Sequence, residues 1–411
     1  MFANLKPKNM FTPLEAESLI LDLVEPIKNT ETINLEASFH KVLAEDITSK
    51  LDFPYWDNSA MDGYAVRYED VKHTPITLEI VEEIPAGKPP EKTLEKGQAA
   101  RIFTGAMLPQ GADTIVMQEN TQRQKSQVIV LTSPPKKGDF VRYKGEFYQA
   151  GKSLLTAGMT LKAPEIAILA TTQCQKISVF RTPKVAIFST GDELISPDKT
   201  LKIGQIIDSN QYALSAFVKS QGAIPLNLGI IPDQPEILRE TILTAIQSAD
   251  FVLSTGGVSV GEYDYIEQIL RDLGATIPIS AVAIKPGKPL TVAKFANGCV
   301  YFGIPGNPVS ALVTCWRFVQ PALKKLSGLR ENCQVDFIEA KTLNILKGAQ
   351  QRETYLWGRV IFTSDGVQFT LAGGNHSSGN LINLAATNAL AVVPPGKGEI
   401  SPGEKVKVML V

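Results

Sequence analysis

The chain has 411 residues, enough for about two to four domains at roughly 150 residues each. Its 41 Lys and Arg against 42 Asp and Glu leave a formal net charge of −1, which argues against a nucleic-acid partner, because such proteins carry a basic excess. Three histidines (His40, His73, His376) and four scattered cysteines (Cys174, Cys299, Cys315, Cys333) exclude CxxC redox and zinc-ribbon spacings and leave little for a His-ligated metal or a His base. Chemistry has to draw on carboxylates, lysines, hydroxyls and backbone amides. No apolar run reaches the roughly 18 residues of a membrane span, and Met1 to Met10 lack the apolar core of a signal peptide. A cytoplasmic protein without a membrane partner is expected, its cysteines suiting a reducing compartment.

Thr12-Pro13-Leu14-Glu15 reads as a capping box with proline at the first helical position. Leu19, Ile20, Leu23, Val24 and Ile27 then predict an apolar helical stripe to Lys28, for the core or for dimer packing. Residues 46 to 145 change to short β-rich runs such as Ile76–Val81 and Gln127–Thr132, punctuated by Gly and Pro, and predict a small β domain. A further helix is expected around Pro164–Cys174, able to pair with the first.

From Pro183 strands alternate with helices. Strands are expected at Lys184–Thr190, Ile224–Ile230, Asp250–Thr255, Leu290–Lys294 and Cys299–Ile304. Helices are expected from Asp208-Ser209-Asn210 to Gly222, at Pro235–Ala249, from about Tyr263 to Leu273 and at Val309–Lys325. This grammar predicts a doubly wound parallel sheet. After Gly328 short strands and glycine turns return, as in a β-barrel. The fold class is multidomain α/β.

Ligands of doubly wound sheets bind outside the carboxyl ends of the strands. Three such exits here are made of small residues: Ser189-Thr190-Gly191-Asp192-Glu193, Ser254-Thr255-Gly256-Gly257-Val258-Ser259 and Pro305-Gly306-Asn307-Pro308. Glycine admits a ligand close to the backbone, and hydroxyls with free amides suit phosphate oxygens. Any one of them could be an ordinary tight turn; three in one sheet point to an oxyanion site. Ile284-Lys285-Pro286-Gly287-Lys288-Pro289 adds two lysines across a rigid turn, suited to a polyanion unless it is a solvated basic loop. Glu193, Asp233 and Asp264 each follow a strand and can face the same crevice, either as surface caps or as Mg²⁺ ligands, with Glu193 and Asp264 the preferred metal-holding pair. Asp57–Ala65 and Arg101–Ala106 are two further polar turns. Gly151-Lys152-Ser153 imitates the end of a Walker A loop, but Gly145 lies too far upstream and Gly158 interrupts the helix that should follow.

Taken together, Asp57–Val66 (DNSAMDGYAV), Thr104-Gly105-Ala106, Ser189–Leu194 (STGDEL), Ser254–Gly261 (STGGVSVG), Lys285–Pro289 (KPGKP) and Ile304–Ser310 (IPGNPVS) resemble the molybdopterin molybdotransferase family, MoeA in bacteria and the E domain of gephyrin in animals. The resemblance runs in family order along almost the whole chain. It implies a homodimer of four-domain subunits. These are a helical linker domain from 1–45 and 146–178, an inserted β domain at 46–145, an α/β molybdopterin-binding domain at 179–328 and a C-terminal β-barrel at 329–411. It implies Mg²⁺-dependent transfer of molybdenum from molybdate to adenylylated molybdopterin with release of AMP, and the molybdopterin adenylyltransferase as a possible partner. Lys285 and Lys288 would hold molybdate together with Arg352. The Ser189-Thr190-Gly191, Ser254–Gly257 and Ser259, and Pro305-Gly306-Asn307 segments would hold the pterin nucleotide. Glu193, Asp233 and Asp264 would work at the pyrophosphate, and Asp62 and Thr104 would reach the cleft from the partner subunit.

The chain departs from the family pattern at four places. Phe147 stands where a carboxylate is usual, Ala281 where a basic residue is frequent, Trp357 where a second arginine follows Arg352, and Ile382-Asn383 where a serine pair helps hold molybdate. Asn383 would have to serve as the donor instead. Two alternatives therefore stay open. One is a molybdopterin-binding carrier or scaffold with little or no turnover. The other is transfer of the adenylyl group itself, which the extra β domains argue against.

Overall fold

The computed structural model describes residues 10–130, 134–257 and 265–411. The chain divides into two compact units. The larger comprises the chain up to Glu45, Ala157–Lys162 and Lys176–Val411; the smaller comprises Asp46–Thr156 and Ala163–Gln175.

In the larger unit, helix α1 (Pro13–Leu23) starts at the expected capping box: the Thr12 hydroxyl accepts from the Glu15 amide and the Glu15 carboxylate accepts from the Thr12 amide at 2.9 Å. It stops at Leu23, short of Lys28. Val24 is already extended (φ −82°, ψ 123°); beyond it Pro26 has no N–H for the Asp22 carbonyl and disfavours helical geometry in Glu25, so the helix cannot run on. The stripe is core. Ile20, Leu23, Val24 and Ile27 are buried with Phe318 and Leu323. The second expected helix forms at Ala163–Thr171 and belongs to the smaller unit.

Strands β1 (Lys184–Thr190), β2 (Ile224–Ile231), β3 (Phe251–Thr255), β4 (Thr276–Ala281), β5 (Ile284–Lys285), β6 (Pro289–Lys294) and β7 (Val300–Ile304) follow. All but β5 form one sheet in the order β2-β1-β3-β7-β6-β4. The first four are parallel, whereas β6 runs against β7 and β4 against β6. The connections around β6 are too short for the crossover that a parallel neighbour needs, so the doubly wound sheet ends on an antiparallel edge. Helices α2 (Asn210–Ser220), α3 (Pro235–Ser248), α4 (Tyr265–Asp272) and α5 (Pro308–Leu326) cover it. Val185 and Ile187 face α1, α2 and α5, while Ala186 and Phe188 face α3 and α4, the period-two alternation of a sheet buried on both faces. Helix α5 is interrupted by a π turn at Cys315–Val319.

Strands β8 (Phe337–Thr342), β9 (Glu353–Thr363), β10 (Gly366–Leu371), β11 (Ala389–Val393) and β12 (Lys405–Leu410) close into a barrel through the β9–β11 pairing, filled by Phe369, Val360, Ala391 and Val408. Strand β5 leaves the α/β sheet and pairs in parallel with β9, Ile284 opposite Glu353 and Lys285 opposite Thr354. That pairing brings the basic turn to the barrel.

The smaller unit is built on a six-stranded sheet in which Gly63–Val66 lies between Thr114–Met117 and Gln98–Ile102. Tyr64 and Val66 enter one core and Ala65 the other. The expected strand at Ile76–Val81 extends to Ile84. Among the described residues no helix is long and apolar enough to cross a membrane.

Candidate functional site

A cleft of about 940 Å³ opens at the carboxyl ends of β1, β3 and β7 and is walled on the far side by the barrel. The three small-residue exits contribute Thr190 and Glu193, Thr255, Gly256 and Gly257, and Pro305, Gly306 and Asn307. Gly256 has φ +88°, and a Cβ on it would stand 2.3 Å from the Thr190 carbonyl oxygen. A Cβ on Gly306 would lie 3.6 Å from the Gly256 Cα. Adjacent exits are therefore close enough to form one continuous floor of backbone, which side chains would break.

Lys285, Lys288 and Arg352 line the same cleft. Both lysines are exposed and Arg352 is half-buried, its Nη1 directed at the Ile284 carbonyl at 3.5 Å. The β5–β9 pairing places Arg352 beside Lys285 although they lie 67 positions apart in the sequence. Three cations gathered on one wall, beside Gly287 and across from the glycine amides of the strand exits, create a positive field for an oxyanion.

The hydroxyls of Ser189 and Ser254 do not reach the cleft. Both residues are fully buried. Ser254 pairs with the Tyr301 hydroxyl at 2.5 Å, and Ser189 accepts from Thr255 at 3.1 Å. Their hydrogen-bonding capacity supports the turns from behind, as buried polar groups require. Gly191 lies behind the lining as well. Asp233 is another correction: its carboxylate accepts the Thr190 hydroxyl and it does not line the cleft. Of the expected acidic residues, Glu193 lines the cleft, while Asp264 lies outside the described residues, as does the expected nucleotide-binding Ser259.

Several lining residues escaped the reading by motif. Asp208 is 4% exposed. Its Oδ1 accepts the Asn210 amide at 3.0 Å, capping α2, whereas Oδ2 is buried without a partner. The motif Asp208-Ser209-Asn210 signalled a cap and nothing more. Ile206 and Ile207 add an apolar wall beside it. On the barrel side stand Tyr355, Trp357, His376, Ser377 and Ser378. The Ser377-Ser378 pair sits in a loop tied to the start of α5, where the Val309 amide donates to the Ser378 carbonyl at 3.2 Å.

Asn383 cannot be the donor expected of it. Its Oδ1 accepts from Trp357 Nε1 at 2.8 Å and its Nδ2 donates to the Gly373 and Asn375 carbonyls at 3.2 and 3.0 Å. The amide group is committed on both ends. Trp357 is buried and packs against His376 in a tilted arrangement, ring centroids 4.4 Å apart. His376 Nε2 is 2.9 Å from the Ala372 carbonyl and so carries the proton. Ala281 does not line the cleft; its carbonyl accepts the Phe11 amide.

In the smaller unit, Asp62 and Thr104 meet directly: Asp62 Oδ1 accepts the Thr104 amide at 2.7 Å and its hydroxyl at 2.8 Å. These bonds hold the Asp62 carboxyl below the ordinary range, the backbone bond contributing most. Phe147 is exposed and packs on Phe53, ring centroids 5.7 Å apart.

Comparison with known proteins shows the family. The chain matches the MoeA N-terminal region (domain I and II) over residues 12–172, a probable molybdopterin binding domain over 186–325 and the MoeA C-terminal region (domain IV) over 339–411. It is 52% identical to a molybdopterin molybdenumtransferase of Nostoc sp., covering 98% of this chain and 95% of that one. It is 33% identical to that of Haemophilus influenzae, covering 97% and 98%. The crystal structure of a molybdopterin biosynthesis MoeA protein from Pyrococcus horikoshii superposes with a TM-score of 0.83 at 29% identity, covering 98% and 100%.

Proposed function

Because the chain belongs to the MoeA family of molybdopterin molybdenumtransferases, we propose that its cleft inserts molybdenum from molybdate into adenylylated molybdopterin and releases AMP. The enzyme acts in molybdenum cofactor biosynthesis. The observation that carries the finer reading is the convergence of Lys285, Lys288 and Arg352 with three small-residue strand exits on one cleft.

In this reading the three cations neutralise molybdate and hold it at one end. Arg352 and the lysines differ in what they offer: the guanidinium gives two parallel donors, the ammonium groups a compact charge. The amides of Gly256, Gly257 and Gly306 take the phosphate oxygens of the nucleotide, and Thr255 keeps its turn in place through Ser189. Glu193 supplies a carboxylate oxygen beside them. Mg²⁺ takes hard oxygen ligands, frequently one or two carboxylates with substrate phosphates and water, and Glu193 with the unpartnered Oδ2 of Asp208 fits that donor set. When bound, such an ion would neutralise charge on the pyrophosphate as AMP leaves.

We further propose that the four domains follow the segments expected above, that the protein is a homodimer, and that Asp62 and Thr104 act from the partner subunit. The test incubates the purified protein with adenylylated molybdopterin, Mg²⁺ and molybdate and measures AMP. AMP release that requires both molybdate and Mg²⁺ is expected. Tight binding of the pterin nucleotide without AMP above the buffer rate would instead establish the carrier reading, for which the commitment of Asn383 to Trp357 speaks.

A further inference from the structure

Behind the barrel wall of the cleft runs a buried polar chain that none of the strand exits explains. Arg317 is 3% exposed and lies in the π turn of α5. Its Nη1 is 2.8 Å from Glu17 Oε2 of α1, its Nε donates to the Tyr355 hydroxyl at 2.9 Å, and that hydroxyl donates to Glu353 Oε1. The rings of Phe318 and Phe337 flank the guanidinium, centroids 5.2 and 5.8 Å away. Glu17 and Tyr355 are buried too. Burial opposes the Arg317 charge, yet Tyr355 and Glu17 hold its pKa above the ordinary value, and burial pushes the Tyr355 phenol far up, so it stays neutral and can donate.

A buried ion pair is weak as a source of stability, since desolvation offsets its attraction, and its best-attested use is to specify an arrangement. A π turn shifts the phase of a helix and recurs at functional sites. Here the arrangement has an identifiable target. Glu353 and Tyr355 bracket Thr354, the residue paired with Lys285, and Arg352 precedes them. The Glu353 amide donates to the Ala283 carbonyl at 2.9 Å. On the other side, the Ala283 amide donates to the Phe11 carbonyl at 2.8 Å, and the Phe11 amide donates to Ala281 at 3.2 Å. The segment leading into Lys285 is thus held between the start of α1 and the start of β9, and Arg317 grips both elements.

We infer that Arg317 is a positioning residue for the oxyanion end of the cleft, fixing Lys285 and Arg352 against each other through Glu17 on one side and Tyr355–Glu353 on the other. This rests on the reading of that end as the molybdate site. Arg317 touches no substrate; it acts by keeping two cationic segments in register.

Two variants of the full-length enzyme test it. Arg317→Lys keeps the charge but cannot reach both partners with a planar fork; Tyr355→Phe removes only the buried hydroxyl. AMP release is measured while molybdate and adenylylated molybdopterin are varied in turn, with melting temperature as a control. Both variants are expected to raise half-saturating molybdate about tenfold while kcat and the pterin KM stay within about twofold, the effect of a small misplacement of binding groups. Combining Arg317→Lys with Arg352→Ala should raise half-saturating molybdate by less than the product of the two single effects, because part of the Arg317 role acts through Arg352. Unchanged half-saturating molybdate in Tyr355→Phe, or a parallel fall of every parameter with melting temperature, overturns the inference. If Arg317→Lys does not fold, Tyr355→Phe decides alone. If the wild type releases no AMP, calorimetry with molybdate alone compares wild type and Tyr355→Phe, so failure of the proposed reaction is distinguished from failure of the positioning role.

Discussion

The indole of Trp357 donates to the side-chain carbonyl of Asn383 at 2.8 Å. Trp357 and Asn383 stand at two of the positions where the family resemblance leads one to expect an arginine and a serine, and here the two side chains satisfy each other. Trp357→Phe should strand the Asn383 acceptor and lower stability by about 1 kcal/mol, the net worth of a hydrogen bond, or somewhat more if the oxygen stays dry. Asn383→Ser alone should not strengthen molybdate binding, because the adjoining Trp357 still fills the place of the cation. Urea unfolding and molybdate calorimetry read the two outcomes, and a gain of affinity in Asn383→Ser would contradict the coupling.

Lys285, Lys288 and Arg352 should share the oxyanion. Each alanine variant is expected to raise half-saturating molybdate by about tenfold or more, the usual loss for a hydrogen bond to a charged group. Arg352→Lys should recover only part of it, since a point charge replaces a fork. Steady-state AMP release against molybdate checks this; a normal molybdate response in any of the three alanine variants would remove that residue from the site.

The Asp62–Thr104 contact carries its own pH signature. A carboxyl whose folded pKa lies below its unfolded one contributes stability above the unfolded value and loses it as pH falls through the folded one. The ordinary Asp62 value is 3.8 and the folded value is lower, so the turn should stay intact at pH 5 and loosen only in strong acid. NMR titration of the Asp62 carboxyl should give a midpoint below 3.8, rising toward it in Thr104→Val. A wild-type midpoint at or above that value would sink the assignment.

Gly256→Ala should be much costlier than Gly204→Ala. Both glycines have positive φ, +88° and +87°, but only at Gly256 would the new Cβ meet a backbone oxygen, at 2.3 Å; at Gly204 nothing lies within 4 Å. A loss of about 1–2 kcal/mol is expected at Gly204 from backbone strain alone, and more at Gly256, together with impaired nucleotide binding. Equal melting temperatures for the two variants would refute the crowding at the cleft floor.

The buried thiols should be inert. Burial pushes Cys299 up to about 12 and Cys315 higher still, and the thiolate is the reactive form. Alkylation of the native protein at pH 8 should spare both, as mass spectrometry of labelled peptides will show, and labelling of either before unfolding would contradict the packing.

What could be read along the chain was local. Strand bounds at Lys184–Thr190, the capping box at Thr12 and the order of strand–turn–helix units depend on periodicity and turn chemistry within a few residues. The glycine-rich exits of β1, β3 and β7 could be placed at the ligand end of the sheet for the same reason. The overextended α1 is a local misjudgement of another kind, in which burial of Val24 and Ile27 imitated helix while Pro26 had already ended it.

The sequence by itself determined which residue types were available: few histidines, no paired cysteines, and lysines, hydroxyls and glycines concentrated at strand ends, a set that suits an anion better than a soft-ligand metal. Only the tertiary structure decided which of them reach the cleft. Ser189, Ser254 and Asp233 spend their hydrogen bonds on neighbours behind it, Asn383 is taken by Trp357, and Arg352 arrives because β5 pairs with β9. The physical reason is that a hydrogen-bonding group or a charge goes to whichever partner the fold brings within about 3 Å, and that competition is between residues far apart in the chain.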